Sequence, residues 1–463
     1  MPAVAAAPAQ ELAGLRLGRE SLHGALLWLL GFAGAFVFVE PGPYEIVGIA
    51  AILLFALTGL SFRPAVVPLL LLLVLINVGY WTALVQVSNQ TKAVTWVLIS
   101  AFLALTGALY AAVLGSNTLP RLRLLMAGYV AAAIVASLVA IAGYFRLLGG
   151  ASELLLLYGR ARGTFNDPNV LGAFLVLPAL LMLQRILAGR RMLRSGVMLL
   201  VMLAALALSF SRGAWGQLAF TAALLMLSTF VTSRSGSERL RLVVLAVLGL
   251  LVAAAFVAAL LSIGQVAELF KERASLEQSY DIGHFGRFGR YMLGAELALE
   301  HPFGIGPLQF YRYFTEDAHN TFLNAFMSGG WLTGFAYLTL CAVTLRLGLR
   351  YVFVRTPWQP IYLAVFAAYV GVVAESAIID IDHWRHYFLI LGALWGMMAA
   401  SSSCSDVTAA RSGEGAPISG RAAKERAARP APPRAHRGAL RPSFLPPLRL
   451  RGRGARAWPS GGA

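Results

Sequence analysis

The sequence predicts an all-α, polytopic integral membrane protein with about twelve transmembrane helices and one long periplasmic loop containing short helices. Three observations predict it. Of 463 residues, 58% are hydrophobic and only 13% charged, with a mean hydropathy of +0.71. Soluble domains carry roughly a quarter charged residues, so this much apolar surface needs a bilayer as its solvent. The apolar residues come in stretches of about 17–25, the length that crosses a hydrocarbon core. The short connections between those stretches alternate in charge along the chain.

Taken in order, the stretches lie near Leu22–Val39, Tyr44–Leu60, Ala65–Val85, Ala93–Leu114, Leu124–Phe145 and Val170–Leu187. They continue at Gly196–Phe210, Trp215–Val231, Leu240–Ile263, Thr321–Leu345, Ile361–Ile379 and Tyr387–Ala400. Arg63, the Arg121/Arg123 pair, Arg185 to Arg194, Arg234 to Arg241 and Arg346 to Arg355 all fall in connections on one side. By the positive-inside rule that side is cytoplasmic and so are both termini. Arg16 and Arg19 precede an uncleaved first span, so no removable leader is predicted. The organisation is therefore a cytoplasmic segment 1–21, a membrane domain 22–400 and a tail 401–463, with the long loop at 262–320. The expected location is the inner, cytoplasmic membrane.

The net charge is +17, and the tail holds about half of that excess, with twelve Lys/Arg against three Asp/Glu. Rich in Ala, Arg, Pro, Gly and Ser, the tail cannot bury a core and is expected to be disordered. The remaining basic residues are scattered over short loops, which points to anionic lipid headgroups and away from nucleic acid. Cys341 lies within an apolar stretch and Cys404 just beyond the last one, so no disulfide is expected. Nucleotide-binding and zinc-protease signatures are absent.

The polar residues of chemical interest gather on the opposite, outer side. Five of the seven histidines fall there: His284, His301, His319, His383 and His386. Within 262–320 the segment Gly289–Glu300 predicts a short helix broken at His301-Pro302. At the loop's end, His319-Asn320 precedes nine residues, then Gly330, with Thr333 three further on. Histidine at the water interface can take a proton at neutral pH; equally, His319 and Asn320 could simply cap a helix. Gly329, Gly330 and Gly334 would let neighbouring helices approach closely. Outer arginines run against the topology rule, so Arg162, Arg212, Arg287 and Arg290 call for a reason. Arg212 sits in a very short turn between two spans; an anion at the surface or snorkelling to headgroups would each account for it. Gly304 and Gly306 allow a tight turn whose N–H groups could face a phosphate. Asp380 to His386 has spacing that could hold a divalent metal, anchor the interface through Trp384, or bind a sugar or acceptor through Asp382 and His383. Glu375 lies inside an apolar run, where a carboxyl marks either function or a structural pair.

His-Asn, nine residues, Gly and then Thr resembles the motif of the O-antigen ligase and O-antigen polymerase superfamily of bacterial membrane glycosyltransferases. Three further segments are similar to that family in the same order. They are Arg160-Ala161-Arg162-Gly163-Thr164-Phe165-Asn166-Asp167-Pro168-Asn169, Ser211-Arg212-Gly213, and Gly286-Arg287 followed by His301-Pro302-Phe303-Gly304-Ile305-Gly306. The first five spans and the tail carry no such resemblance. It implies transfer of a glycan from undecaprenyl pyrophosphate to an acceptor hydroxyl on the periplasmic face, by inversion, without metal or other cofactor. The acceptor would be lipid A core, another glycan or a further hydroxyl compound. On this reading His319 is the base, with Arg212 and Arg287 stabilising the departing pyrophosphate. Arg162, Arg290, Asn320, Gly304, Gly306, Asp382 and His383 would bind substrate. Arg287 stands at the family's arginine position, fifteen residues before Pro302, whereas Arg290 does not align. A competing reading is a secondary transporter or flippase for a lipid-linked glycan. It predicts two related halves with polar groups at midplane, and no such repeat is visible.

Overall fold

The computed structural model describes residues 7–38, 41–274, 286–314 and 316–412. His284 and the tail beyond Ser412 lie outside the described residues. The fold is an all-α membrane bundle. Its helices are α1 (Ala7–Ala33), α2 (Pro43–Leu57), α3 (Val67–Leu84), α4 (Thr91–Leu114), α5 (Thr118–Tyr144), α6 (Pro168–Leu187) and α7 (Met192–Leu208). There follow α8 (Arg212–Thr232), α9 (Gly236–Leu261), α10 (Gly264–Ala274), α11 (Arg287–Glu300), α12 (Thr321–Tyr351), α13 (Gln359–Glu375) and α14 (Arg385–Ser412). Among the described residues, seven helices are long and apolar enough to cross a membrane, and α2, α7 and α13 are shorter apolar helices. The last helix runs past Ala400, where the sequence placed the end of the final span. A two-stranded hairpin, β1 (Leu156–Leu157) and β2 (Arg160–Ala161), interrupts the helices between α5 and α6.

Packing follows the small residues. α1 lies on α5, α3 on α12, α6 on α7 and α8 on α13. Helix α6 is the most enclosed of the candidate spans, with 78% of its apolar window buried, while α9 has 6%. That contrast places α6 at the centre of the bundle and α9 at its rim. On α9 every side chain from Val243 to Leu261 is exposed or half-buried, as suits a helix whose apolar surface faces lipid on nearly every side.

One span departs from the sequence expectation. The stretch read as a single helix from Thr321 to Leu345 is broken at Gly330, whose φ of 72° and ψ of −169° are non-helical. The loop after α11 fills the break: Ile305 N–H donates to Met327 O at 2.8 Å and Trp331 N–H to Pro302 O at 2.9 Å. A Cβ on Gly330 would come 2.5 Å from Pro302 O, and the backbone region itself is essentially confined to glycine. The His-Pro-x-x-Gly-x-Gly segment is thus the plug of a discontinuous helix. Thr333 anchors the same region to α3 through a 3.0 Å bond from Oγ1 to Ile76 O.

Candidate functional site

The site forms where the N-terminal ends of α8, α11, α12 and α14 meet the C-terminal end of α13. Thr321 N–H donates to Ser376 O at 2.8 Å, Thr321 Oγ1–H donates to Ile379 O at 2.9 Å, and Ile381 N–H donates back to Thr321 Oγ1 at 2.9 Å. These bonds pin the start of α12 to the 376–384 connection. On the other flank, Gly213 at the start of α8 abuts the carboxyl of Glu375 at the end of α13.

His319 takes a left-handed backbone, φ 48°, uncommon for a residue with a side chain and frequent at functional positions. Two bonds hold it there. Tyr291 Oη donates to His319 O at 3.0 Å, and Asn320 N–H donates to Asp380 Oδ1 at 3.1 Å. The imidazole stays 42% exposed, and Nδ1 stands 3.9 Å from Asp380 Oδ2, beyond hydrogen-bond range. An incoming hydroxyl can therefore reach the ring. Burial first, and then the Arg287 charge, hold the proton affinity of His319 below the ordinary histidine value; Asp317 opposes them, Arg290 adds to them and Glu316 opposes again. Burial, followed by the Asp382 and Asp317 carboxylates, pushes Asp380 up to about 8, against N–H donors from Asn320 and His319. The net direction favours the unprotonated imidazole, the form that can accept a proton near neutral pH.

The arginines come from helix α11, which presents Arg287, Arg290, Tyr291 and Gly294 on one face at helical spacing. Gly294 lets that face press on α12, since a Cβ there would meet Leu323 Cδ2 at 2.8 Å. Arg290 is 1% exposed. Its Nη2 bonds Glu316 Oε2 at 2.8 Å, while Nε and Nη1 have no hydrogen-bond partner. A buried guanidinium with two unused donors can bond the oxygens of an anion. Arg212 is the first residue of α8, after the N-cap Ser211.

The other residues marked by sequence are engaged in holding loops. Arg162 directs Nε and Nη2 at Leu154 O (3.2 and 3.0 Å) and Nη1 at Asn166 O (3.4 Å). Asn320 caps α12 through Leu323 N–H (3.0 Å) and donates Nδ2–H to Ala377 O (3.0 Å). Asp382 Oδ2 accepts from Asn324 Nδ2 at 3.1 Å, and His383 Nε2 bonds Trp96 O at 3.0 Å. Gly304 N–H, expected to be open to phosphate, donates to His301 O at 2.8 Å. A Cβ on Gly304 would strike Gly330 N at 2.7 Å, and one on Gly306 would strike Val87 Cγ2 at 2.9 Å; both glycines serve close approach. Among the described residues no group of three or more His, Cys, Asp or Glu is set to hold a metal.

Sequence reading missed several contributors. Arg160 joins the hairpin to the turn before α8, with Nε on Ser209 O and Nη2 on Asn169 Oδ1, both 2.8 Å. It was present in the quoted motif, but nothing there separated it from Arg162. Tyr291 gave no signal and Asp380 stood out only as part of the 380–386 cluster, because their roles depend on the 319–320 backbone meeting two distant segments.

A family model described as O-antigen ligase matches residues 197–338. The match takes in Arg212, Arg287, Arg290 and His319, and leaves out the hairpin and the 376–384 connection. No curated protein matches the chain.

Proposed function

We propose that this chain is a membrane glycosyltransferase of the O-antigen ligase or polymerase type. It moves a glycan from undecaprenyl pyrophosphate to an acceptor hydroxyl on the periplasmic face. The observation that carries the reading is the exposed, neutral imidazole of His319 standing beside the arginine face of α11. The part of the chain matched by the O-antigen ligase family contains those same groups. The topology proposed with it has twelve crossings: the seven long spans, the three shorter apolar helices, and α1 and α14. The termini and the arginine-rich connections then face the cytoplasm, and the His319 end faces the periplasm.

In the reaction, His319 takes the proton of the acceptor hydroxyl as its oxygen attacks the anomeric carbon. The bond from that carbon to the pyrophosphate oxygen breaks, and its electron pair leaves with the pyrophosphate, inverting the configuration. Arg212, Arg287 and Arg290 neutralise the charge that develops on the leaving group. The scheme uses no metal, because the leaving group is already an activated diphosphate and the cations are supplied by guanidinium groups.

The test is transfer by purified protein in lipid, given undecaprenyl-pyrophosphate glycan and acceptor, with no ion gradient. His319→Ala should lower the rate by roughly 10²–10⁴-fold while leaving membrane insertion and thermal unfolding unchanged. Near-normal product from that variant would end the assignment. Solute movement without product would replace the enzyme with a transporter.

A further inference from the structure

The contact between α8 and α13 contains a feature that the proposed reaction does not use. Two glycines and two polar side chains face each other reciprocally across it. A Cβ on Gly213 would come 3.1 Å from Glu375 Oε1, and a Cβ on Gly371 would come 3.0 Å from Gln217 Cγ. Each glycine lies four residues, one helical turn, from the polar residue on its own helix. Glu375 and Gln217 are each 5% exposed, yet Gln217 Oε1, Gln217 Nε2 and Glu375 Oε2 have no hydrogen-bond partner. Nor do the two side chains bond each other.

Buried polar atoms in a membrane protein normally find partners, and an intramembrane carboxyl is commonly functional. A purely structural pair would be visible as a hydrogen bond, and none is present. The position of Glu375 also points to the site. It lies beside Gly213, the neighbour of Arg212, and precedes Ser376, whose carbonyl accepts from Thr321 N–H. The carboxyl therefore stands between the Arg212 turn and the start of α12 that follows His319. Together the two side chains offer carboxyl and carboxamide oxygens and one N–H₂ donor, a set that complements a ring bearing hydroxyls.

We propose that Glu375, backed by Gln217 one turn deeper, forms a subsite for a hydroxyl of the donor sugar bonded directly to pyrophosphate. The assignment rests on the glycosyltransferase reading. With the diphosphate held at Arg212, the attached sugar is the part of the donor that falls within reach of the adjacent residue's neighbour. Glycine at 213 leaves room beside the carboxyl, since a methyl group there would press on Oε1.

Direct binding in lipid nanodiscs tests the idea, with two probes: undecaprenyl pyrophosphate, and the same lipid carrying one sugar. Glu375→Ala should weaken the sugar-bearing lipid about tenfold and leave the sugar-free lipid unchanged. Glu375→Gln, which keeps volume and hydrogen-bonding capacity, should lose less. Equal weakening of both probes, or of neither, would overturn the subsite, as would a wild-type protein that binds both probes equally. Because binding is read without turnover, a His319→Ala variant that still transfers glycan would sink the catalytic reading separately.

Discussion

In the segment leading into α6, Arg160 and Arg162 aim their donors at carbonyl and amide oxygens of the protein itself. On α11, Arg290 is more deeply buried and leaves two donors unused. Both segments belong to motifs of the same family resemblance, and both carry arginine where the sequence reading expects the outer side. The difference teaches that an arginine out of place in sequence needs a partner, and only the fold reveals whether that partner is already present. Where backbone oxygens surround the guanidinium, it is a brace. Where they do not, as at Arg290, the proposed function supplies a ligand as the missing partner.

The comparison can be broken most directly at Arg290. Arg290→Gln should lower kcat/KM for transfer by about 10²-fold with the protein still folded. A variant that transfers normally and melts at a higher temperature would show that Arg290 is only a buried structural charge.

Arg287 is next. Its replacement by lysine should lower turnover roughly tenfold, because an ammonium cannot make the two-pronged contact. Its pH profile is the sharper measurement. The wild-type rate is carried by neutral His319, so it is present at higher pH and is lost as pH falls through a value below the ordinary histidine range. Arg287→Gln removes a charge that lowers this value, so the acid limb of kcat/KM should move to higher pH. A limb that stays in place would separate Arg287 from the base.

The backbone that carries α12 into the site gives a smaller effect. Gly330→Ala should destabilise the protein by about 1–3 kcal/mol from backbone strain, measured by thermal unfolding in detergent, with a further contribution from the contact with Pro302 O. Unchanged stability would mean that the break in α12 is not held by the loop. Smallest of all, Arg162→Ala should change transfer by less than about threefold, since its donors are taken up by Leu154 O and Asn166 O. A loss comparable to that at Arg290 would erase the distinction between the two segments.

Much of the framework was legible because it follows from transfer free energy. A bilayer demands long apolar runs, so most helix positions could be read from where those runs lie along the chain. The short helix before His301-Pro302 was legible because proline ends helices; the structure starts it at Arg287, where the sequence placed it at Gly289. The break at Gly330 was not legible. Apolar periodicity continues through it, and the bonds that stabilise it come from Pro302 and Ile305 across a loop. Asn320, Asp382 and His383 look like ligand groups for a related reason. Sequence displays donors and acceptors, whereas Ala377, Asn324 and Trp96, which bond them, lie on other elements.

By itself the sequence determined that this protein spans a membrane and where its long apolar helices run, and it marked His319 as a candidate base near an arginine-bearing loop. Each of these rests on local chemistry, hydropathy and side-chain type. The tertiary structure alone decided which polar groups keep free valence. Hydrogen bonds saturate, and whether Arg290, Glu375 or Gln217 has a partner depends on which distant backbone comes within about 3 Å.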